Sequence, residues 1–326
     1  MMEPNTERKA PSQTLISRAN ELYHDLQASS FNQLHTRRHH VEKVFWERHV
    51  SPRLSKQQAK FGVDLCTGTG FVPLALLGSL GTDVRMLCVD LSPGTLARAE
   101  ALLVDFEDRA TFHAGSADSL PLPDGSADWV SMNAGLHHIP DPMSALREVD
   151  RVLKPGGFFC LGHEPNAGFF SSRLLFGLER VIWHLFWYIS PVRNLKRIMR
   201  KLGWKERQYE AHEHLAEINT TLLKEALIES PLSLAELRNL VDVHTHGEDG
   251  DKHKTGFDIN QLIREAFPAY TVEKVLCGDY GGEMLRKHLW LRALFDGLMR
   301  VLFPGKGRLF SWILRKPAPD SKASQA

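Results

Sequence analysis

The sequence predicts an α/β protein built on a doubly wound, mostly parallel sheet, and three observations carry that expectation. A short apolar run at 61–65 passes through Cys66-Thr67-Gly68-Thr69-Gly70 into helical spacing at 72–80. A second apolar run at 84–89 ends in Asp90. Further apolar runs follow at 110–113, 129–132 and 157–162, with a helical pattern at 143–153 between the last two.

Taken in order, residues 12–27 and 32–50 have helical spacing, and Ser51-Pro52 stops the second helix before the first strand. At the end of that strand Gly68 and Gly70 let the chain turn tightly and let a ligand approach the main chain. Asp90 ends the second strand, where an acid can accept both hydroxyls of a ribose. A dinucleotide site would need a third glycine where this chain has Pro73, whose ring also removes an amide donor that a pyrophosphate would use. A nucleoside site is expected, and nicotinamide binding is disfavoured. Late in the chain, 257–267 has the spacing of a covering helix and 271–277 reads as a sixth strand.

With 326 residues and a formal net charge of +1, the chain can bury one sizeable core, or a core with a subdomain. It has no general signature for polyanions, so nucleic acid is not an expected partner. The four cysteines, Cys66, Cys88, Cys160 and Cys277, fall at or near strand ends without a Cys-x-x-Cys pair. They read as reduced core thiols of a cytoplasmic protein. Residues 1–11 lack the apolar centre of a signal peptide, and no run reaches the roughly 18–20 apolar residues of a membrane span.

Four blocks occur in order: 63–70, Val89-Asp90-Leu91-Ser92, the stretch 115–130, and Leu153-Lys154-Pro155-Gly156-Gly157. Together they resemble the class I S-adenosylmethionine-dependent methyltransferases, in the small-molecule branch that includes the ubiquinone and menaquinone C-methyltransferases. The likeness covers 61–165 and is faint elsewhere. It implies a seven-stranded Rossmann-like sheet, N-terminal helices over the cofactor, and a terminal antiparallel strand at 309–314. It also implies S-adenosylmethionine as the cofactor, with Asp64, Cys66, Gly68, Gly70, Asp90, Leu91, Ser116, Ala117 and Asn133 around it. In that reading Asp90 takes the ribose hydroxyls, Gly68 and Gly70 admit the methionine portion, Ser116 and Ala117 meet adenine, and Asn133 offers main chain to the amino-acid end. Two positions depart from the family pattern. Cys66 stands where glycine is usual, and Ser116 where aspartate often meets the adenine amino group, giving up a charge-assisted bond.

Measured against the family, the chain has two insertions, at 166–255 and at 281–307. Both leave the carboxyl ends of strands, the edge at which open α/β sheets bind ligands, so both are expected to rise over the site as a substrate lid. In 171–189 a narrow stripe of Arg173, Gly177, Arg180 and His184 runs through apolar residues, and in 283–303 His288, Arg292, Asp296 and Arg300 do the same. Between them Arg193, Lys196, Arg197, Arg200 and Lys201 interleave with Leu195, Ile198 and Met199. Two readings stay open: helices that meet a peripheral anionic membrane surface, or an ordinary lid core with a solvated basic face. The expected division is a helical cap at 1–58, a cofactor core at 59–165, a helical lid at 166–255, the rest of the sheet at 256–317 with its insertion at 281–307, and a disordered tail at 318–326.

Methyl transfer from a sulfonium is an in-line displacement whose leaving group needs no proton, so alignment is the main task and few catalytic side chains are required. The base candidates are His137 and His138, which follow the fourth strand at the ligand edge and carry imidazoles able to accept a proton near neutral pH. The alternative for either is a ring that ties the loop to a carbonyl. Glu164, after the fifth strand, could orient a substrate hydroxyl or cap a turn. The loop 244–253 and His212-Glu213-His214 lack the spacing of a metal motif, so no metal is expected. The sequence thus points to methyl transfer onto carbon or phenolic oxygen of a lipophilic small molecule. A catalytically silent S-adenosylmethionine-binding scaffold, whose lid recruits a membrane or a protein, remains the alternative.

Overall fold

The computed structural model describes residues 11–28, 42–175, 177–178, 180–181, 184, 211–244, 256–280 and 289–318. Helix α1 (Gln13–Gln27) is started by Ser12, whose hydroxyl accepts the Leu15 amide. A π-helical turn (Trp46–Val50) runs into α2 (Ser51–Gln57). Strands and helices then alternate as β1 (Phe61–Leu65), α3 (Phe71–Leu77), β2 (Arg85–Asp90), α4 (Pro93–Leu102), β3 (Ala110–Ala114), β4 (Ala127–Asn133), α5 (Pro142–Val152) and β5 (Leu153–Pro165). After α6 (Ala211–Lys224) and α7 (Leu234–Val241) come α8 (Ile259–Ala266), β6 (Thr271–Gly278), α9 (Leu289–Leu302) and β7 (Leu309–Arg315).

The seven strands form one sheet in the order β3-β2-β1-β4-β5-β7-β6, with β7 antiparallel to both neighbours. The fold and its one reversed strand match the expectation. Central strands buried on both faces read as continuous apolar runs, which is why 61–65 and 129–132 stand out in the sequence. On one face Val63, Leu65, Val130, Met132, Phe159 and Leu161 pack with α5 and α8. On the other, Met86, Cys88, Trp129, Cys160 and Ile313 meet Trp46, Leu54 and Leu76. Gly62 makes room for that second layer, since a Cβ there would sit 2.0 Å from the Trp129 indole on the next strand.

One boundary moves for a plain reason. Leu153 already pairs with Ala127, so β5 starts four residues before the expected strand. Pro155 has no amide and holds Lys154 extended, and Gly156 at φ +81° carries the chain through the resulting register shift.

The long insertion does not behave as one lid. Its first turns place Phe169 and Leu175 against Tyr280 and Met299, in a small core shared with α9. Its later helices, α6 and α7, pack instead on α1 through Ile218, Leu222, Leu237 and Leu240. The Arg18 guanidinium donates to both oxygens of Glu225, and the Asn20 amide donates to the Leu240 carbonyl at 3.0 Å, clamping α1 to this pair. Asp25 ties the far end of α1 to α4 by accepting the Gly94 amide at 2.7 Å and the Ser92 hydroxyl. The basic run at 193–201, the loop after His244, the start of the helix expected at 32–50, and the tail from 319 lie outside the described residues.

Candidate active site

The strand order reverses between β1 and β4, and a crevice opens beyond their carboxyl ends. It is a cleft of about 340 Å³, walled by the loops after β1, β2, β3 and β4, and roofed by α1 and the end of α7.

Of the residues expected around a cofactor, Cys66, Gly68, Asp90, Leu91, Ser116, Ala117 and Asn133 line this cleft. Asp64 and Gly70 do not, and both have a different task. Asp64 is 1% exposed beneath the loop, where its carboxylate accepts the Thr67 hydroxyl at 2.8 Å and the Ser131 hydroxyl at 2.6 Å. Burial pushes it up to about 7 against those bonds. Gly70 caps α3 at φ +88° and leaves a would-be Cβ only 3.1 Å from Ala99, so it turns the chain and seats α3 on α4.

Cys66 explains why glycine is usual at its position, because its φ is +51°. The side chain fits because Gly135 leaves space for it; a Cβ on Gly135 would lie 2.5 Å from that of Cys66. Burial, with Asp90, Glu164 and Asp64 nearby, pushes the thiol well up, so it stays protonated. Asp90 accepts the Gly68 amide at 2.7 Å and the Ser92 amide at 2.9 Å, which fixes its carboxylate at the cleft wall. Burial pushes it upward against these two amides. Ser116 and Ala117 follow β3, and Asp118 lines the cleft beside them, an acid the sequence reading passed over. The Asn133 side chain is tied away, donating to Glu42 at 2.9 Å and accepting from Trp46 at 3.2 Å.

The residues present fit a nucleoside cofactor. Gly68 leaves open space where any side chain would project, a cradle beside the fixed Asp90 carboxylate. Across the cleft, the buried Asn20 Oδ1 has no hydrogen-bond partner among the described residues and can accept from a ligand donor.

The opposite wall carries the histidines. Glu164 is fully buried, so it cannot meet a substrate hydroxyl as the sequence suggested. It sits behind the loop after β4, where its carboxylate accepts the Gly135 amide at 2.7 Å, the Leu136 amide at 2.9 Å and His137 Nδ1 at 2.8 Å. Burial works to raise the carboxyl, but His137 and the Leu136 amide outweigh it and hold Glu164 below its usual range. His137 Nδ1 faces the Glu164 carboxylate, and its Nε2 lies 3.9 Å from Asp242. His138 donates from Nδ1 to the Val241 carbonyl at 2.7 Å, and burial together with His137 pushes it down to about 4. Its ring is neutral at neutral pH. Donor atoms of His137, His138 and Asp242 lie within 4.8 Å of one another, a spread that a divalent cation could close. The sequence reading missed Asp242, Arg238 and His24, which reach the cleft from α7 and α1. No local pattern marks them.

The profile described as "Methyltransferase domain" matches residues 63–161. A demethylmenaquinone methyltransferase from Geobacillus stearothermophilus is 30% identical over 181 residues, 53% of this chain and 74% of that protein. One from Staphylococcus epidermidis is 35% identical over 117 residues, 36% of this chain and 48% of that protein. Among solved structures, a putative sarcosine dimethylglycine methyltransferase from Galdieria sulphuraria aligns at 15% identity and TM-score 0.42, over 83% of this chain and 85% of that one.

Proposed function

The chain belongs to the class I S-adenosylmethionine-dependent methyltransferases, and on that premise we propose that it methylates carbon or phenolic oxygen of a lipophilic small molecule, with His137 as the base. The observation that carries this reading is the Glu164–His137 pair opening onto the same cleft as the cofactor loop. S-adenosylmethionine supplies an electrophilic methyl on a leaving group that needs no proton. Asp90 binds the ribose hydroxyls, Ser116 and Ala117 meet the adenine edge, and Gly68 and Cys66 border the methionine portion.

The acceptor must lose a proton as its new bond forms, and His137 Nε2 receives it. Glu164 is a positioning residue: it fixes the tautomer and faces the imidazolium that results. His138, pushed down to about 4 by burial and His137, serves as a wall of the acceptor site. Tyr23, Phe71, Ile139 and Val241 give that site an apolar lining, in keeping with relatives named for a quinone substrate.

The test is mass spectrometry of lipid and metabolite extracts after incubation with enzyme and deuteromethyl-labelled cofactor, with and without a chelator. A labelled lipophilic product that forms equally with chelator present is expected. Cofactor binding without any labelled product would reject the reading in favour of a silent scaffold. Product that disappears with chelator would move His137 and His138 from base chemistry to metal binding.

A further inference from the structure

Helix α9 turns a charged stripe inward beside Phe295 and Met299 and leaves aliphatic side chains outside. Arg292, Asp296 and Arg300 follow one another at successive turns, and this polar stripe faces the protein. Arg292 lies 3.3 Å from Asp279 and 3.6 Å from Asp296. Asp296 in turn accepts the Asp279 amide at 3.2 Å and the Tyr280 amide at 3.0 Å, and Arg300 donates to the Cys277 carbonyl at 2.9 Å. The opposite face carries Leu294, Leu298, Val301 and Leu302, which are 67%, 56%, 79% and 58% exposed. Leu174 and Val181, on the helical residues beside it, are 65% and 54% exposed. An amphipathic helix ordinarily buries its aliphatic stripe. Rotating α9 to do so would break every bond of its inner stripe, so the leucines are held outward.

Charge identifies what covers them. The chain as a whole carries +1, yet between Ser171 and Arg207 it has nine Lys or Arg against two acids, Glu179 and Glu206. The start of that cationic stretch packs directly on α9, through Leu175 and Leu178 against Phe295 and Met299. A second copy of the chain would bring two such stretches together and be repelled. An anionic surface would be attracted to the charge and would accept the aliphatic side chains below it. No helix among the described residues is long and apolar enough to cross a membrane. We infer that the outer face of α9, with Leu174 and Val181, docks the protein on the surface of an anionic lipid bilayer. The inference extends the lipophilic-acceptor reading by placing the enzyme where such an acceptor dissolves.

The test uses the full chain without cofactor or acceptor, so its failure and failure of the methyl-transfer reading are seen separately. Co-sedimentation is measured with phosphatidylcholine vesicles, with and without phosphatidylglycerol, at low and high salt. Wild type should bind the anionic vesicles, less so in high salt as screening shortens the attraction. Leu294→Gln with Leu298→Gln and Val301→Gln should weaken binding about tenfold or more. Leu102→Gln with Val104→Gln and Val272→Gln, exposed apolar residues elsewhere, should leave it within about twofold. The single change Val301→Glu, at the most exposed of these positions, keeps the test decisive if the triple variant melts early; it should weaken binding at least about threefold. Equal, negligible sedimentation of wild type with both lipids would overturn the inference, as would variants that bind like wild type. A dimer that the α9 variants dissociate, with no vesicle binding, would also overturn it by assigning the face to a second copy.

Discussion

Glu164 and Asp279 are two buried carboxylates at the carboxyl ends of strands in one sheet, Glu164 within β5 and Asp279 just after β6, and they differ in the basic side chain that faces them. Glu164 holds loop amides and an imidazole that opens onto a cleft. Asp279 lies against the planar guanidinium of Arg292, beneath a helix that closes over it. A buried acid facing a basic side chain thus borders a cleft in one place, where we propose proton transfer, and clamps a helix in the other. Whether the partner can reach a ligand decides which: His137 lines the cleft and Arg292 does not.

The largest effect that tests this contrast is on stability. Arg292→Met should remove the guanidinium that lies 3.3 Å from Asp279 and 3.6 Å from Asp296 and cost about 3–5 kcal/mol, because two buried carboxylates lose an ion-pair partner. Methyl transfer per folded molecule should stay near wild type. A stable Arg292→Met protein that had lost turnover would erase the distinction between clamp and site.

On the other side, His137→Ala should lower turnover about 100-fold or more, roughly 2.7 kcal/mol, with cofactor affinity near wild type. Glu164→Gln keeps an acceptor for the loop amides but loses the charge behind the ring, so it should reproduce much of that loss. Single-turnover kinetics with the labelled product would check both. Unchanged turnover in His137→Ala would leave Glu164 as a second clamp.

The β-strands, the loop after β1 and Asp90 were legible in the sequence because each is written locally, in a run of apolar residues or a turn at a strand end. Glu164 was legible as a residue at the carboxyl edge of the sheet but not in its contacts, because these arise only when β5 pairs with β4 and brings position 164 under the loop at 135–137. Asp242 and Arg238 were invisible for the same reason, arriving through packing of α7 on α1. The orientation of α9 could not be read at all. A helix with leucines outside has the same period as one with leucines inside, and only the partners of Arg292 and Asp296 decide between them.

A smaller effect separates the cofactor wall from both carboxylates. Asp90 is held by two amides and faces the cleft with no ion pair among the described residues, so Asp90→Ala should leave folding nearly intact while weakening S-adenosylmethionine binding by about 1.5–3 kcal/mol. Calorimetry would measure it. Unchanged affinity in a folded variant would remove Asp90 from the ribose contact.

The smallest effect concerns His138, whose ring centroid lies 4.0 Å from that of His137. Its pKa is pushed down to about 4 in the folded protein, by burial first and by His137 second, against an ordinary value of 6.5. The unfolded chain therefore takes up this proton below about pH 6.5 while the folded chain resists it until about pH 4. Stability tied to His138 is fully present above pH 6.5 and is lost as pH falls through that window. The side chain is 23% exposed, and water tempers the shift, so the loss should be of the order of 1–2 kcal/mol. His138→Gln keeps a donor for the Val241 carbonyl but cannot titrate. Urea melts at pH 7 and pH 4.5 should show wild type losing more stability than the variant on acidification, with the difference levelling off below about pH 4. Parallel losses in the two proteins would mean that His138 accepts a proton in the folded state as readily as in the unfolded one, and would return it to the list of bases beside His137.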